Sequence, residues 1–146
     1  MACSMPSALS RNRTLQVRFL AKGAVRPIID CNIMHELSVT ESLLEIVTRH
    51  ALQANAERVV RIHLVIGELA SIVDDSVQFY FDFLAKETLA AGAELVFRRV
   101  PVTLACPACQ HQWHPETADW ACPKCQAARA RPTAGQEFYV ESIEVE

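Results

Sequence analysis

Two pairs of cysteines constrain this chain more than any other feature. Cys106-Pro-Ala-Cys109 and Cys122-Pro-Lys-Cys125 are separated by twelve residues. Two sulfurs three positions apart can be turned inward by one tight knuckle. Two such knuckles supply four thiolates, a donor set that suits tetrahedral Zn²⁺ at about 2.3 Å per bond. Two disulfides and a rubredoxin-type iron are the other uses of the same spacing. No compact apolar stretch precedes a small-residue cleavage site near the start, so no export signal is read. Paired C-x-x-C motifs without such a signal favour metal over disulfides. A closed four-cysteine site leaves no position for water, so its expected role is structural.

Cys3 and Cys31 stand apart, in a segment that differs from the rest. Residues 1–33 hold five bases (Arg11, Arg13, Arg18, Lys22, Arg26) against the single acid Asp30, which leaves nine bases against sixteen acids downstream. A body that acidic argues against nucleic acid, where a basic face supplies most of the affinity. The leader lacks a clear period, and two readings of it compete. One is a flexible or non-native start, with the functional chain beginning at Met34. The other is an Arg-rich targeting segment. It is set aside from the fold reading. The rest is globular in composition, 51% apolar and 21% charged, and long enough to bury a core. The most apolar stretches, 59–66 and 77–84, are broken by Arg61 and Asp82. No run reaches the roughly 18 residues of a membrane span, so a soluble, cytoplasmic protein is expected.

Periodicity sets the order of elements. Ser38-Val39-Thr40-Glu41 fits a capping box, and Val39, Leu43, Ile46, Val47 and Ala54 follow at helical spacing, predicting a helix over about 39–54. Residues 58–68 read as a strand, with Val60, Ile62, Leu64 and Ile66 on one face and Gly67 closing it. Asp75 opens a second predicted helix, about 76–91, ending at Gly92. A strand over about 94–105 leads into Cys106, and a last strand covers 137–145 after a return linker at 133–136. The expected fold is α+β: a small three-stranded sheet with two helices and a four-cysteine insert before the last strand. The expected division is 34–105 with 132–146 as the α/β unit and 106–131 as the zinc-binding insert. Trp113 and Trp120 are expected to pack that insert. His111 and His114 read as loop histidines, with metal or pH sensing as the sharper alternative. Phe79, Phe81 and Phe83 read as core and helix packing.

Met34-His35-Glu36 suggests a second metal. If Met34 is the first residue, its α-amine, the His35 amide and the His35 imidazole can form fused chelate rings around one ion. Nitrogen-rich, nearly planar ligation favours Ni(II) or Cu(II) over Zn²⁺. Glu36 stands beside them as a further donor or an anchor for the ligands.

Met-His-Glu before an amphipathic helix, Gly67-Glu68-Leu69 after a strand, and a late CPxC-x12-CPxC insert together resemble the HypA/HybF nickel metallochaperones. The resemblance covers about 34–146. It implies assistance in maturing [NiFe]-hydrogenase, and in some organisms urease. It implies His35 as the nickel ligand with Met34 through its amine and Glu36 adjacent. It also implies Cys106, Cys109, Cys122 and Cys125 on structural zinc, and Asp74 near the nickel. The implied partners are the maturation GTPase of the pathway and the hydrogenase large subunit; a homodimer is allowed. The family carries its motif at the N-terminus, whereas 33 residues precede it here. Gln110 and Gln126 follow the knuckles where some members have His, which weakens the case for pH-linked zinc coordination. The chain shows no Ser/His/Asp set, no phosphate loop and no paired carboxylates with an evident cleft, so no enzyme is expected. The rival reading is a zinc-ribbon module that binds protein or nucleic acid.

Overall fold

A parallel pair of strands organises the larger unit, and a parallel pair needs a crossover. The computed structural model of the protein describes residues 12–20 and 32–146, the side chains at 18–20 and 32–35 excepted. Strand β1 (Arg13–Leu20) is followed by helix α1 (Asn32–Gln53) and strand β2 (Val59–Gly67). Helix α2 (Asp74–Leu84) then carries the chain to β3 (Glu94–Val100), which lies parallel to β2. Short strands β4 (Thr103–Ala105), β5 (Gln112–Trp113) and β6 (Arg131–Ala134) precede the last strand, β7 (Phe138–Val145). Two sheets result, ordered β1-β7-β2-β3 and β5-β4-β6.

One face of the larger sheet carries the core. Leu43, Val47 and Ala51 of α1 and Val77 and Phe81 of α2 pack with Ile62 and Leu64 of β2 and Val140, Ile143 and Val145 of β7. The expected period-two face holds over Ile62, Leu64 and Ile66, all fully buried, but not at Val60: the register shifts between Val59 and Arg61, and Val59 enters the core in its place. Of the alternate positions Val65 is also buried, while Arg61 and His63 are polar: Arg61 bonds Glu94 and Glu144, and His63 lies 2.9 Å from the Glu144 carboxylate.

Several boundaries differ from the sequence reading. The larger sheet has four strands, not three. The fourth is β1, drawn from the leader that was set aside; it pairs antiparallel with β7 and buries Val17 in the core. Residues 1–11 and 21–31, the rest of the leader but for Asn12, Asn32 and Ile33, lie outside the described residues. Helix α1 begins at Asn32, so Ser38 is an interior, exposed position and not a cap. Nothing in Ile33–Leu37 breaks a helix, and the Thr40 hydroxyl bonds back to the Glu36 carbonyl one turn earlier. The same helix ends in a Schellman motif: Asn55 takes a left-handed φ of 52°, the Asn55 amide bonds the Leu52 carbonyl, and the Ala56 amide bonds Ala51. Helix α2 starts at Asp74 and stops at Leu84, where a 3₁₀ turn (Ala85–Glu87) takes over. Thr88 ends the helical run, its hydroxyl bonding the Ala85 carbonyl and accepting from the Ala90 amide. The expected strand 94–105 is cut at Pro101, which has no N–H for a ladder, and its halves join different sheets. Of the three phenylalanines only Phe81 is core; Phe79 and Phe83 are 70% and 67% exposed.

Candidate metal centre

The two knuckles are built alike. The Cys106 amide donates to the His111 carbonyl and the Gln110 amide donates to the Cys106 carbonyl, both at 2.9 Å. In the second knuckle the Cys122 amide reaches Ala127 at 3.0 Å and the Gln126 amide reaches Cys122 at 2.8 Å. Gln110 and Gln126 both sit at φ 60°, the left-handed residue that closes each turn. In each pair the first cysteine is buried and the second exposed.

All four sulfurs lie within 4.8 Å of one another, the only metal-capable group of three or more His, Cys, Asp or Glu among the described residues. Across the knuckles, Cys106 and Cys125 are 3.5 Å apart and Cys109 and Cys122 are 3.6 Å apart. A tetrahedron with bonds near 2.3 Å has edges of about 3.8 Å, so the donor set fits Zn²⁺. Electrostatics points the same way. The Cys109 amide, with that of Ala108, lowers the Cys106 thiol to about 7 against its burial. Cys122 also lies below its ordinary value: burial opposes ionisation, but the Cys125 and Lys124 amides outweigh it. The Ala127 amide favours the Cys125 thiolate, yet the sulfur of Cys106, burial and the other two cysteines push Cys125 up to about 12. Four thiolates this close require a cation between them.

Around the cysteines, His111 stacks on Trp113 with centroids 5.9 Å apart and planes 10° from parallel. The His114 Nδ1 lies 3.0 Å from the Val102 carbonyl oxygen. Neither histidine belongs to the metal-capable group.

Gly67-Glu68-Leu69, singled out as a motif, sits where the two sheets join. The Gly67 amide donates to the Glu137 carbonyl and the Leu69 amide to the Gly135 carbonyl, both at 2.7 Å. The Glu68 carboxylate accepts the Val102 amide at 3.0 Å, and the Glu137 carboxylate accepts the Gly135 amide at 2.7 Å. Sequence reading missed this neck because its halves are 34 residues apart, and no short spacing signals the contact.

Met34, His35 and Glu36 fall in the opening turns of α1. The side chains of Met34 and His35 lie outside the described residues, while Glu36 is buried. Asp74 opens α2, and its carboxylate is held by Arg99, which also bonds the Ile72 carbonyl.

Comparison with known proteins identifies the family. The family model described as hydrogenase/urease nickel incorporation, metallochaperone, hypA matches residues 34–145. The chain belongs to the HypA family. The hydrogenase maturation factor HypA of Dehalococcoides mccartyi is 47% identical over 113 residues, covering 77% of this chain and 95% of the relative. The factor of the same name from Caldanaerobacter subterraneus is 41% identical over 114 residues, covering 77% and 100%. Among solved structures, a solution structure of HypA protein is 30% identical with a TM-score of 0.63, covering 77% of this chain and 97% of that one. The solution structure of the Ni metallochaperone HypA from Helicobacter pylori is 28% identical with a TM-score of 0.57, covering 75% and 96%. The HypA match thus begins on Met34 of the Met-His-Glu motif and runs through the cysteine unit. Among the described residues no helix is long and apolar enough to cross a membrane.

Proposed function

We propose that this chain is a nickel metallochaperone. It captures Ni(II) at Met34–Glu36 and hands it on during maturation of [NiFe]-hydrogenase, with urease as a second recipient. The observation that carries this reading is the family match, which opens on Met-His-Glu and spans the four-cysteine unit. Cys106, Cys109, Cys122 and Cys125 would hold structural zinc, whose closed four-thiolate set gives shape and leaves the cargo to a different site. The cargo site has to be tight yet exchangeable, and a helix start meets that need. The first four amides of a helix, counted from its N-cap, lack intrahelical acceptors, and with α1 opening at Asn32 the last of them is Met34. The Met34 nitrogen is therefore not committed to the helix ladder. The recipients are the pathway's maturation GTPase and the hydrogenase large subunit, and the chain carries cargo and does no catalysis.

His35→Ala tests the cargo site. Calorimetric titration is expected to show loss of specific Ni(II) binding, with zinc content and melting profile unchanged. Unchanged nickel affinity would remove His35 from the site. The leader is tested separately. We infer that the functional chain starts at Met34, where the family match begins, so that it lacks β1 and β7 becomes the edge of the larger sheet. A free α-amine ordinarily titrates at about 7.7–8.0, which makes it a far better donor than a peptide amide. A chain starting at Met34 is expected to bind Ni(II) more tightly than the 146-residue form, with a more planar, nitrogen-rich spectrum. Equal affinity and identical spectra would exclude the amine as a ligand, and the intact mass of the protein from its host decides the start site.

A further inference from the structure

The chain passes between the two sheets twice, outward through Pro101-Val102 and back through Gly135-Gln136-Glu137. Both passages run against Gly67-Glu68-Leu69. The returning passage is held by backbone: the Gly67 and Leu69 amides bond the Glu137 and Gly135 carbonyls. The outgoing passage is held by side chains, from both directions. The Glu68 carboxylate, belonging to the α/β unit, takes the Val102 amide at 3.0 Å. His114, belonging to the cysteine unit, reaches the carbonyl of the same residue at 3.0 Å. Because that partner is a carbonyl oxygen, His114 donates through Nδ1–H. Val102 itself is buried and packs against Gly135, whose φ of 103° and missing Cβ allow the two passages to touch.

We propose that Glu68 and His114 form a latch on Val102 that fixes the orientation of the cysteine unit relative to the α/β unit. Glu68 is a positioning residue: it acts through the Val102 amide and touches neither metal. Its bond is charge-assisted, which makes it stronger than a neutral pair. It lies at the surface of the neck, so it can open without disturbing the core. The two units present different surfaces to any protein that receives the cargo, and the latch sets the angle between those surfaces. The inference is independent of the nickel reading.

The experiment uses the whole, zinc-loaded chain labelled with ¹⁵N, comparing Glu68→Ala, Glu68→Gln and His114→Ala with the parent. Amide exchange at Val102 and residual dipolar couplings of the two units are measured, together with zinc content. In Glu68→Ala the Val102 amide is expected to exchange about tenfold faster, the effect of one lost hydrogen bond to a charged group. Couplings from 103–134 should then no longer fit the alignment of 59–100, while zinc stays at one per chain. Glu68→Gln keeps an acceptor oxygen at the same reach but loses its charge, so its exchange should fall between the parent and Glu68→Ala, with one shared alignment retained. His114→Ala should reproduce the change in couplings from the other side of Val102. Unchanged exchange and one shared alignment in Glu68→Ala would overturn the latch. So would zinc loss with melting of β4–β6, which would make Glu68 a folding residue of the insert. Glu68→Gln behaving like Glu68→Ala would also overturn it, since a latch depends on the acceptor.

Discussion

Alanine in place of Cys106 is expected to drop zinc from one per chain to near zero and to unfold residues 103–134 while the α/β unit stays folded. The reason is how little else the small unit has. Its buried apolar side chains are Leu104, Cys106 and Cys122, with Val102 at the neck. Three short strands over one fully buried leucine cannot offset the cost of ordering some thirty residues, at about 1–2 kcal/mol of backbone entropy each. A structural zinc contributes on the order of 10 kcal/mol to the folding of such a unit. Removing the buried thiolate at Cys106 breaks the closed set and leaves three ligands crowded without their fourth. The α/β unit has its own core, with Phe81, Leu43, Ile62 and Ile143 all nearly inaccessible, and does not draw on the metal. Metal analysis of the purified variant and amide exchange across β4–β6 check this. Full zinc content with an unchanged melting profile would refute the zinc assignment.

The same contrast explains what could be read from the sequence. The knuckles were legible because their information is local. Cysteines three residues apart, each pair carrying a Pro, specify a turn whatever surrounds it, and both turns close as expected. The core faces of β2 and α1 were legible for the same reason, since period sets burial. The boundaries that failed were decided by contacts distant in sequence or by the absence of any stop signal. Ser38 looked like a cap, but helix geometry already existed upstream, and a capping residue inside a helix has no free amides to satisfy. The leader looked unstructured because its alternation, Leu15 and Val17 against Thr14 and Gln16, spans only a few residues. It becomes a strand when the open edge of β7 offers it partners some 130 positions away. Phe79 and Phe83 are one helical turn apart and so share a face of α2, but that face turns to solvent. Nothing in a single sequence says which face of an aromatic-rich helix will be covered. Met34 and His35 are proposed from their ligand chemistry, and the case for them rests on the residues and the family match.

Gly67→Ala is expected to be the most damaging single methyl that can be added to the neck. Gly67 has an ordinary φ of −72°, so the substitution costs nothing in backbone strain. The damage is steric: a Cβ there would stand 2.1 Å from both the carbonyl carbon and oxygen of Gly135 and 2.6 Å from the Gln136 nitrogen. Those are backbone atoms, which no rotamer change can move aside. Relief requires the returning passage to shift by more than 1 Å, roughly the gap between that overlap and ordinary contact. Such a shift breaks the bonds from the Gly67 amide to Glu137 and from the Leu69 amide to Gly135, each 2.7 Å long. Overpacking of about 1–3 kcal/mol and two lost hydrogen bonds of about 1 kcal/mol each together exceed 3 kcal/mol. That corresponds to a fall in Tm of about 10 °C for a chain of this size. Gly92→Ala supplies the comparison. Its φ of 73° is left-handed, but its Cβ would meet nothing within 4 Å. It should therefore cost only the conformational penalty, about 1–2 kcal/mol. Thermal melts of the two variants decide the matter: Gly67→Ala must fall well below Gly92→Ala. If the order is reversed, the close approach of Gly67 to Gly135 is not what holds the two units together.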